Sequence, residues 1–372
     1  MLYRIKRVLG NYKINIGPGY KSKFRQLVEM LWLALRYRFS PIEYRTYRFF
    51  DRDMKFSEML TFLSNYEISY KIRPSLYDRR VLSMLNNKLL FNRYYSAYGL
   101  PLPRLYAFFH PDSGFTLDED PMRNAEDFKN WLTRTGIKQF FIKPCGGKKG
   151  GGVIAVCDVK QADNGSYILT DSNDNTWKVE ELAEKLSNQF SESSYPGYLI
   201  EEKIEQHPLL SQINSSSVNT CRLLTLVQPD NTITIPFAAF RFGRMGNTVD
   251  SWSNGGIAFQ VNVETGELIR GSFHPDWGLT KNVSYHPDSR MKLRGLVVPG
   301  WNEIKDLVLK AAFVTPDIKS IGWDVAVSRK GVLLIEGNSL WSPLIFQGVC
   351  GGFLDPKNKE FFGQYQFNLR NM

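Results

Sequence analysis

The chain reads as an α+β protein of two lobes, preceded by a basic helical region. Two observations predict this class. From residue 214 onward, runs such as 220–227 and 233–242 alternate in hydrophobicity with the period of half-buried strands. Before that point, stretches with helical spacing, such as 126–135 and 177–189, interleave with short apolar strands. Length supports a division into lobes: 372 residues with 43% hydrophobic content bury a sizeable core and are long for one domain.

Taken in order, residues 1–74 are expected to form a basic helical region. Helical spacing around 24–39 puts Leu27, Met30, Leu31, Ala34 and Leu35 on one side. Residues 57–63 look helical, and 71–74 reads as a linker or short strand. A helix over 83–98 ends at Gly99, where Pro101 and Pro103 forbid its continuation. A strand over 105–109 and a helix over 126–135, closed by Gly136, follow. A strand over 139–143 breaks into glycines and returns at 153–156, which gives a hairpin with a glycine-rich tip. The polar stretch 161–175 has no assigned role. Beyond the helix at 177–189 and a strand at 198–204, the chain turns mainly β: 220–227, 233–242, 257–263 and 269–272. Turns at Pro229-Asp230-Asn231 and Glu264-Thr265-Gly266 separate some of these. An amphipathic helix over 301–313 precedes a closing hairpin, 320–327 and 332–336, turned at Arg329-Lys330-Gly331. The expected division is 1–74 as the N-terminal region and 75–372 as the main body. Within that body a smaller lobe runs over about 100–205 and a larger one over about 206–350.

Charge is unevenly spread. The net charge is +10, and residues 1–52 hold twelve Lys/Arg against Glu29, Glu43 and Asp51, which is +9. A basic amphipathic helix of this kind either packs on the protein with its charges in water or rests on an anionic membrane surface. For nucleic acid, charge is the only warrant, since no nucleic-acid motif or zinc site supports that partner, and none is expected. Cys145, Cys157, Cys221 and Cys350 form no C-x-x-C pair and read as reduced thiols. Residues 1–7 lack the apolar core of a secretion signal, and the apolar run 31–35 is too short to span a bilayer. A cytoplasmic location is expected, with the basic arm giving access to the inner membrane face.

Two segments carry chemistry. In the first, an apolar strand delivers Lys143 and then breaks into Gly146, Gly147, Lys148, Lys149, Gly150, Gly151 and Gly152. A half-buried ammonium needs an anion, and glycines let backbone N–H groups approach phosphate closely. The loop lacks the G-x-x-x-x-G-K-[ST] pattern, and a strand rather than a helix follows the glycines. The bland alternative is a flexible surface hairpin. In the second segment, Asp324 and Glu336 fall on the two strands of the closing hairpin, and Asn338 lies two residues further on the same face. Two carboxylates and an amide oxygen are hard ligands that suit Mg²⁺ beside nucleotide phosphates. The alternative there is a solvated polar strand face.

In this order, Lys88, the Lys143 hairpin, Glu201-Glu202-Lys203-Ile204, Arg222, Asp324 and Glu336-x-Asn338 resemble the ATP-grasp superfamily of carboxylate–amine ligases. The resemblance covers about 75–345. Ser217-x-Asn219-Thr220-x-Arg222, Arg241-Phe242-Gly243, Asp250 with Asn254-Gly255-Gly256, and Gly322-Trp323-Asp324 are similar to its sugar-transfer-associated branch. That branch resembles alpha-L-glutamate ligases and occurs with surface-polysaccharide genes.

The resemblance implies two lobes clamping ATP. Lys88 and Lys143 contact the phosphates, and Gly146 to Gly152 close over them. Glu202, Lys203 and Ile204 frame the adenine through backbone groups, and Glu205 or His207 reaches the ribose. Asp324, Glu336 and Asn338 hold Mg²⁺. Arg222, with Arg241, faces the transferred phosphoryl group, and Asn254, Gly255 and Gly256 offer backbone N–H groups to an oxyanion. Without the family, Lys88 reads as a solvated helix residue and Arg222 as the partner of a neighbouring acid. On the same footing Glu201-Glu202 is a strand end, Asn254-Gly255-Gly256 a tight turn and His207 a loop residue. Trp252, Trp323 and Trp341 are core residues ahead of sugar platforms.

The reaction so implied is ATP- and Mg²⁺-dependent ligation of a small carboxylate and an amine through an acyl-phosphate. A sugar acid in surface-polysaccharide biosynthesis is the expected carboxylate. The alternatives are a kinase-like phosphotransferase and a non-catalytic nucleotide-binding partner of a glycosyltransferase.

Overall fold

Two antiparallel seven-stranded sheets organise the chain, and each turns one face toward a common cleft. The structure, a computed structural model, describes residues 14–147, 151–163, 165–189, 196–244, 246, 247, 249–274, 276, 281–356, 365 and 367. The expected lid residues Lys148 and Gly150, with Lys149, lie outside the described residues, as do Arg4, Lys6, Arg7 and Lys13.

The first sheet has the order β2-β1-β7-β3-β4-β5-β6. Its strands are β1 (Leu105–Phe109), β2 (Phe115–Thr116), β3 (Phe140–Pro144), β4 (Ile154–Gln161), β5 (Tyr167–Asp171), β6 (Thr176–Lys178) and β7 (Tyr198–Glu202). The second has the order β12-β11-β10-β9-β8-β13-β14. It comprises β8 (Thr220–Val227), β9 (Ile233–Phe242), β10 (Ile257–Val261), β11 (Leu268–Phe273), β12 (Lys281–Val283), β13 (Ser320–Ser328) and β14 (Gly331–Asn338). The helices used below are α1 (Lys23–Tyr37), α2 (Pro41–Thr46), α3 (Lys88–Ala97), α4 (Ala125–Thr135), α5 (Val179–Gln189), α6 (Pro208–Ile213), α7 (Trp301–Phe313) and α8 (Pro343–Cys350).

Strand alternation assigns the faces. On β3, Phe140 and Ile142 are buried with Phe128 and Trp131 of α4 and Leu182 and Leu186 of α5. Phe141 and Lys143 point the other way, to the cleft. Helix α4 starts where the Asn124 side chain accepts from the Glu126 and Asp127 N–H groups, and ends at Gly136 in the left-handed region. In the larger sheet, Cys221, Leu223, Phe240, Phe259, Trp323 and Val325 share a core with Phe91 and Tyr95 of α3 and Ile304, Val308 and Ala311 of α7. The opposite face, with Leu224, Leu226, Phe237 and Ala239, packs with Ile345, Phe346 and Val349 of α8. Beyond α8 that face carries Thr220, Arg222, Arg241 and Asp324 into the cleft.

The N-terminal region has its own core, made by Met30, Leu33, Phe39, Tyr44, Tyr47, Phe49, Phe50 and Phe62 among others. It docks on the outer side of α8. The Gln347 amide donates to the Tyr47 hydroxyl at 3.0 Å and the Leu63 carbonyl at 2.8 Å, and accepts from the Leu63 N–H at 2.8 Å. Helix α8 is thus held between this region and the larger sheet.

Local readings needed correction in several places. Residues 71–74 are helical: a π turn, Ile68–Ile72, runs into a 3₁₀ turn, Arg73–Ser75. The helix expected over 83–98 is interrupted at Asn87, whose side chain caps a new helix by accepting from Leu89 and Leu90 N–H groups. That break makes Lys88 the first residue of α3. Trp177 belongs to β6, and the polar stretch 161–175 holds all of β5 and its turn to β6. Helix α1 buries Gln26, Glu29, Met30 and Leu33, and leaves Leu35 exposed. The apolar face read from the sequence is therefore rotated, because two polar side chains find buried partners. The Gln26 amide donates to the Asn15 and Lys21 carbonyls at 2.8 and 2.7 Å. Glu29 accepts from Lys21, Arg25 and Tyr44. Among the described residues no helix is long and apolar enough to cross a membrane.

Candidate active site

The cleft between the sheets has a volume of about 1180 Å³, enough for a nucleotide and a second small molecule together. Lys88, Lys143, Gly147, Gly151, Glu201, Lys203, Ile204 and Glu205 line it from the side of the smaller sheet. Arg222, Arg241, Asp324, Glu336 and Asn338 line it from the larger.

On the first side, β3 and β7 pair antiparallel, with Phe141 opposite Glu201. The Lys143 ammonium reaches the Glu201 carboxylate at 2.7 Å. The start of α3 is tied to the loop after β3. Lys88 donates from its backbone N–H to the Cys145 carbonyl at 3.0 Å and from its ammonium to the Gly147 carbonyl at 2.8 Å. Burial lowers the Lys88 pKa, and Glu336 across the cleft works against that shift. Gly152 adopts a φ of +73°, and a Cβ there would come within 2.9 Å of Pro144. Phe141 and Ala155 from this sheet, with Leu102 and Ile335, give the cleft apolar walls.

On the second side, Asp324 of β13 stands opposite Arg222 of β8 and Glu336 of β14. Two positions further along the hairpin, on the same face, Gly322 pairs with Asn338. Between Asp324 and Val325 the register slips by one residue, so Ile335 is a bulge. Ile335 and Glu336 consequently both face the cleft. Arg222 forms a two-pronged pair with Asp324 and lies 3.7 Å from Glu336. Arg241 bridges Asp324 at 3.1 Å and Asp250 at 3.2 Å. Asp250 also accepts from the Thr220 hydroxyl, and from its N–H at 3.0 Å. Asn338 donates to Glu336 at 2.9 Å.

The charges are unequally served. Burial pushes Asp324 up, but Arg222 and Arg241 outweigh it and hold the carboxyl below its usual range. Burial also opposes the charge of Arg241, yet Asp250 and Asp324 outweigh it and raise its pKa. Glu336 is pushed up by burial and then by Asp324, and Arg222 and Lys88 only partly offset this. Two neighbouring carboxylates with an amide beside them are a hard-oxygen set, and a divalent cation relieves the repulsion that raises Glu336. The set fits Mg²⁺ on that chemistry. Among the described residues there is no group of three His, Cys, Asp or Glu side chains placed to hold a metal.

Several expected site residues sit elsewhere. His207 caps α6, where its ring accepts from the Leu209 N–H at 3.3 Å, and it is absent from the cleft lining. The Glu202 side chain turns toward Lys330, at 3.5 Å, and is not part of the lining, which leaves only its backbone for the expected adenine contact. Gly146 and Gly152 lie in the loop but do not line the cleft. Asn254, Gly255 and Gly256 form a closing turn behind Trp252, and the Gly256 N–H donates back to the Ser251 carbonyl at 3.1 Å. A Cβ at Gly256 would meet the Asp250, Phe242 and Ser251 carbonyls within 3 Å. Trp323 and Trp341 are core residues. Asp250 carried no individual role in the sequence, and its partner Arg241 is nine residues away on another element. The turn Ser172-Asn173-Asp174 also reaches the cleft, and its cluster of turn-forming residues was the available signal.

Two lobes of antiparallel sheet closing on a cleft that carries lysines on one side and an arginine–carboxylate cluster on the other define an ATP-grasp protein. The chain belongs to the sugar-transfer-associated ATP-grasp family, whose pattern matches residues 67–361. ATP and Mg²⁺ are the usual cofactors of this fold. A comparison with curated proteins gives no match.

Solved structures with similarity include the biotin carboxylase domain of 2-oxoglutarate carboxylase from Hydrogenobacter thermophilus, in complex with MgADP. It is 13% identical over 78% of this chain and 48% of that one, with a TM-score of 0.41. D-alanyl-alanine synthetase A from Vibrio cholerae is 12% identical over 75% of this chain and 61% of its own, with a TM-score of 0.41. The L-amino acid ligase from Bacillus licheniformis is 11% identical over 69% and 41%, with a TM-score of 0.36. The first of these is spanned over about half its length.

Proposed function

We propose that this chain is an ATP- and Mg²⁺-dependent carboxylate–amine ligase. The observation that carries the reading is the facing of Lys88 and Lys143 with Asp324, Glu336 and Asn338 across one cleft. Solved proteins of the same fold are described as ligases of amino acids, which supports the reaction class. In that reaction a substrate carboxylate oxygen attacks the γ-phosphorus of ATP and ADP leaves. The amine nitrogen then attacks the acyl carbon, phosphate leaves and the nitrogen loses a proton.

Lys143 and Lys88 bind and orient the phosphates, with Glu201 and Gly147 holding the two ammonium groups in place meanwhile. Asp324, Glu336 and Asn338 hold Mg²⁺, which when bound neutralises phosphate charge. Arg222 and Arg241 sit beside those carboxylates and stabilise charge on the transferred phosphoryl group. Phe141, Ala155, Leu102 and Ile335 give the base an apolar slot. Lys203, Ile204 and Glu205 line the same slot. Residues 75–372 act as the catalytic body and 1–74 as an accessory region.

The carboxylate is proposed to be a sugar acid or a related small acid of surface-polysaccharide synthesis, as the family description suggests. Ser217, Ser251, Ser253, Ser339 and Ser342, with Trp252, also line the cleft, which supports a hydroxyl-rich ligand. The basic arm is proposed to bring the enzyme to the inner face of a membrane.

The test is an ADP-release screen of amino acids against uronic acids with Mg²⁺, coupled to product analysis. Amide formation that vanishes in Glu336→Ala supports the reading. ADP release that needs only the carboxylate, with a phosphorylated product and no amide, would identify a kinase instead. Equal ADP release by wild type and Glu336→Ala would remove the catalytic assignment.

A further inference from the structure

Helix α1 has two apolar faces, and among the described residues the body of the protein covers only one. Met30 and Leu33 are buried in the N-terminal core. On the outer side, Phe24, Val28, Trp32 and Leu35 are 77, 49, 40 and 51% exposed. Their spacing of four, four and three residues places them in one row along the helix. Four large apolar side chains in a row make a contiguous exposed patch of the kind that marks an interaction surface. The row extends sideways. The Trp32 ring meets Phe56 edge-on at 4.9 Å, and Phe56 is itself exposed.

Basic side chains outnumber acids around this row. Lys23, Arg25, Arg36 and Arg38 are exposed on α1 and at its end, and Lys55 precedes Phe56. The three acids of residues 1–52 are all turned inward. Glu29 is buried against Lys21, Arg25 and Tyr44. Glu43 is buried as the return half of a helix-capping pair with Ser40, and Asp51 is buried against Arg48. The exposed acids nearby, Asp53 and Glu58, are matched by Arg52 and Lys55.

We propose that the outer face of α1 docks on an anionic lipid surface, with the helix lying flat and Phe24, Val28, Trp32 and Leu35 in the headgroup boundary. Area burial drives insertion, and the flanking Lys and Arg residues add attraction to anionic headgroups. A tryptophan at the edge of such a row suits the interface between apolar and wet regions. Charge complementarity selects this occupant: a second copy of the chain would bring like-charged rims together. The helix lies outside the family-matched segment 67–361, so the proposal stands independently of the ligase reading.

Co-sedimentation of the full chain with phosphatidylcholine vesicles, with and without about one-third phosphatidylglycerol, tests it. Binding is expected only with the anionic lipid, weakening as salt rises. Phe24→Ser with Leu35→Ser should cut binding about tenfold or more with an unchanged melting temperature, since both side chains are exposed. Lys23→Glu with Arg36→Glu should abolish it. Absence of anionic-vesicle binding by wild type, or unchanged binding in both double variants, would overturn the proposal. So would a concentration-dependent dimer that only the Phe24/Leu35 variant loses, because the face would then seat a second copy.

Discussion

Asp324 and Glu336 stand opposite one another on β13 and β14, and Arg222 pairs with the first while lying 3.7 Å from the second. The two carboxylates are therefore in opposite electrostatic states. Asp324 is held below its ordinary pKa by two arginines, and Glu336 is held above its own by burial and by Asp324. In the ligand-free chain the second carboxylate is a liability that a cation would remove.

That asymmetry sets a stability prediction. Because the folded pKa of Glu336 is raised, the wild type loses stability as pH rises from 4.5 through the raised value. Asp324 acts in the opposite sense, with stability lost only as pH falls through its lowered value. Glu336→Gln should therefore melt higher than wild type at neutral pH without ligand, and the gain should shrink toward pH 4.5. The same variant should lose ligase activity. Thermal melting across pH, paired with ADP release, checks both. A variant that melts lower at neutral pH would show that Glu336 is adequately served by Arg222 and Lys88.

Arg241 is a different case. Its half-buried guanidinium bridges the buried carboxylates of Asp250 and Asp324, so Arg241→Ala leaves each of them one partner short. Removing one member of a buried ion pair costs about 3–5 kcal/mol. Urea unfolding of Arg241→Ala should show a loss of that size. A loss below about 1 kcal/mol, the level of an exposed pair, would contradict the buried-cluster description.

The turn at Gly256 yields a third prediction. A methyl group there meets three backbone carbonyls within 3 Å, and backbone cannot move aside cheaply. Gly256→Ala should destabilise by about 1–3 kcal/mol, through overpacking. Since the turn does not line the cleft, the folded fraction should keep its KM for ATP. A raised KM with unchanged stability would restore a binding role to Asn254-Gly255-Gly256.

Much of this architecture was legible because period is local. Strands β8 and β9 and helix α7 begin and end where alternation and helical spacing place them. The closing hairpin pairs Asp324 with Glu336, as strand reading expects. What escaped the sequence depends on distant partners. The break at Asn87 is a cap, and only that cap makes Lys88 a helix start facing the Gly147 carbonyl. The rotation of α1 follows from buried polar contacts of Gln26 and Glu29, which hydrophobicity alone assigns to solvent. The bulge at Ile335 lets consecutive residues face one cleft, which strict alternation forbids. Asp250 meets Arg241 only because β9 leads into the turn that returns beneath it.

The most direct test is a structure of the chain with Mg²⁺ and a non-hydrolysable ATP analogue. The triphosphate is predicted to lie between the Lys143 ammonium and the Asp324 and Glu336 carboxylates, with the metal on the carboxylate side. A nucleotide bound away from Lys143, or a metal bound away from Asp324, Glu336 and Asn338, would contradict the account.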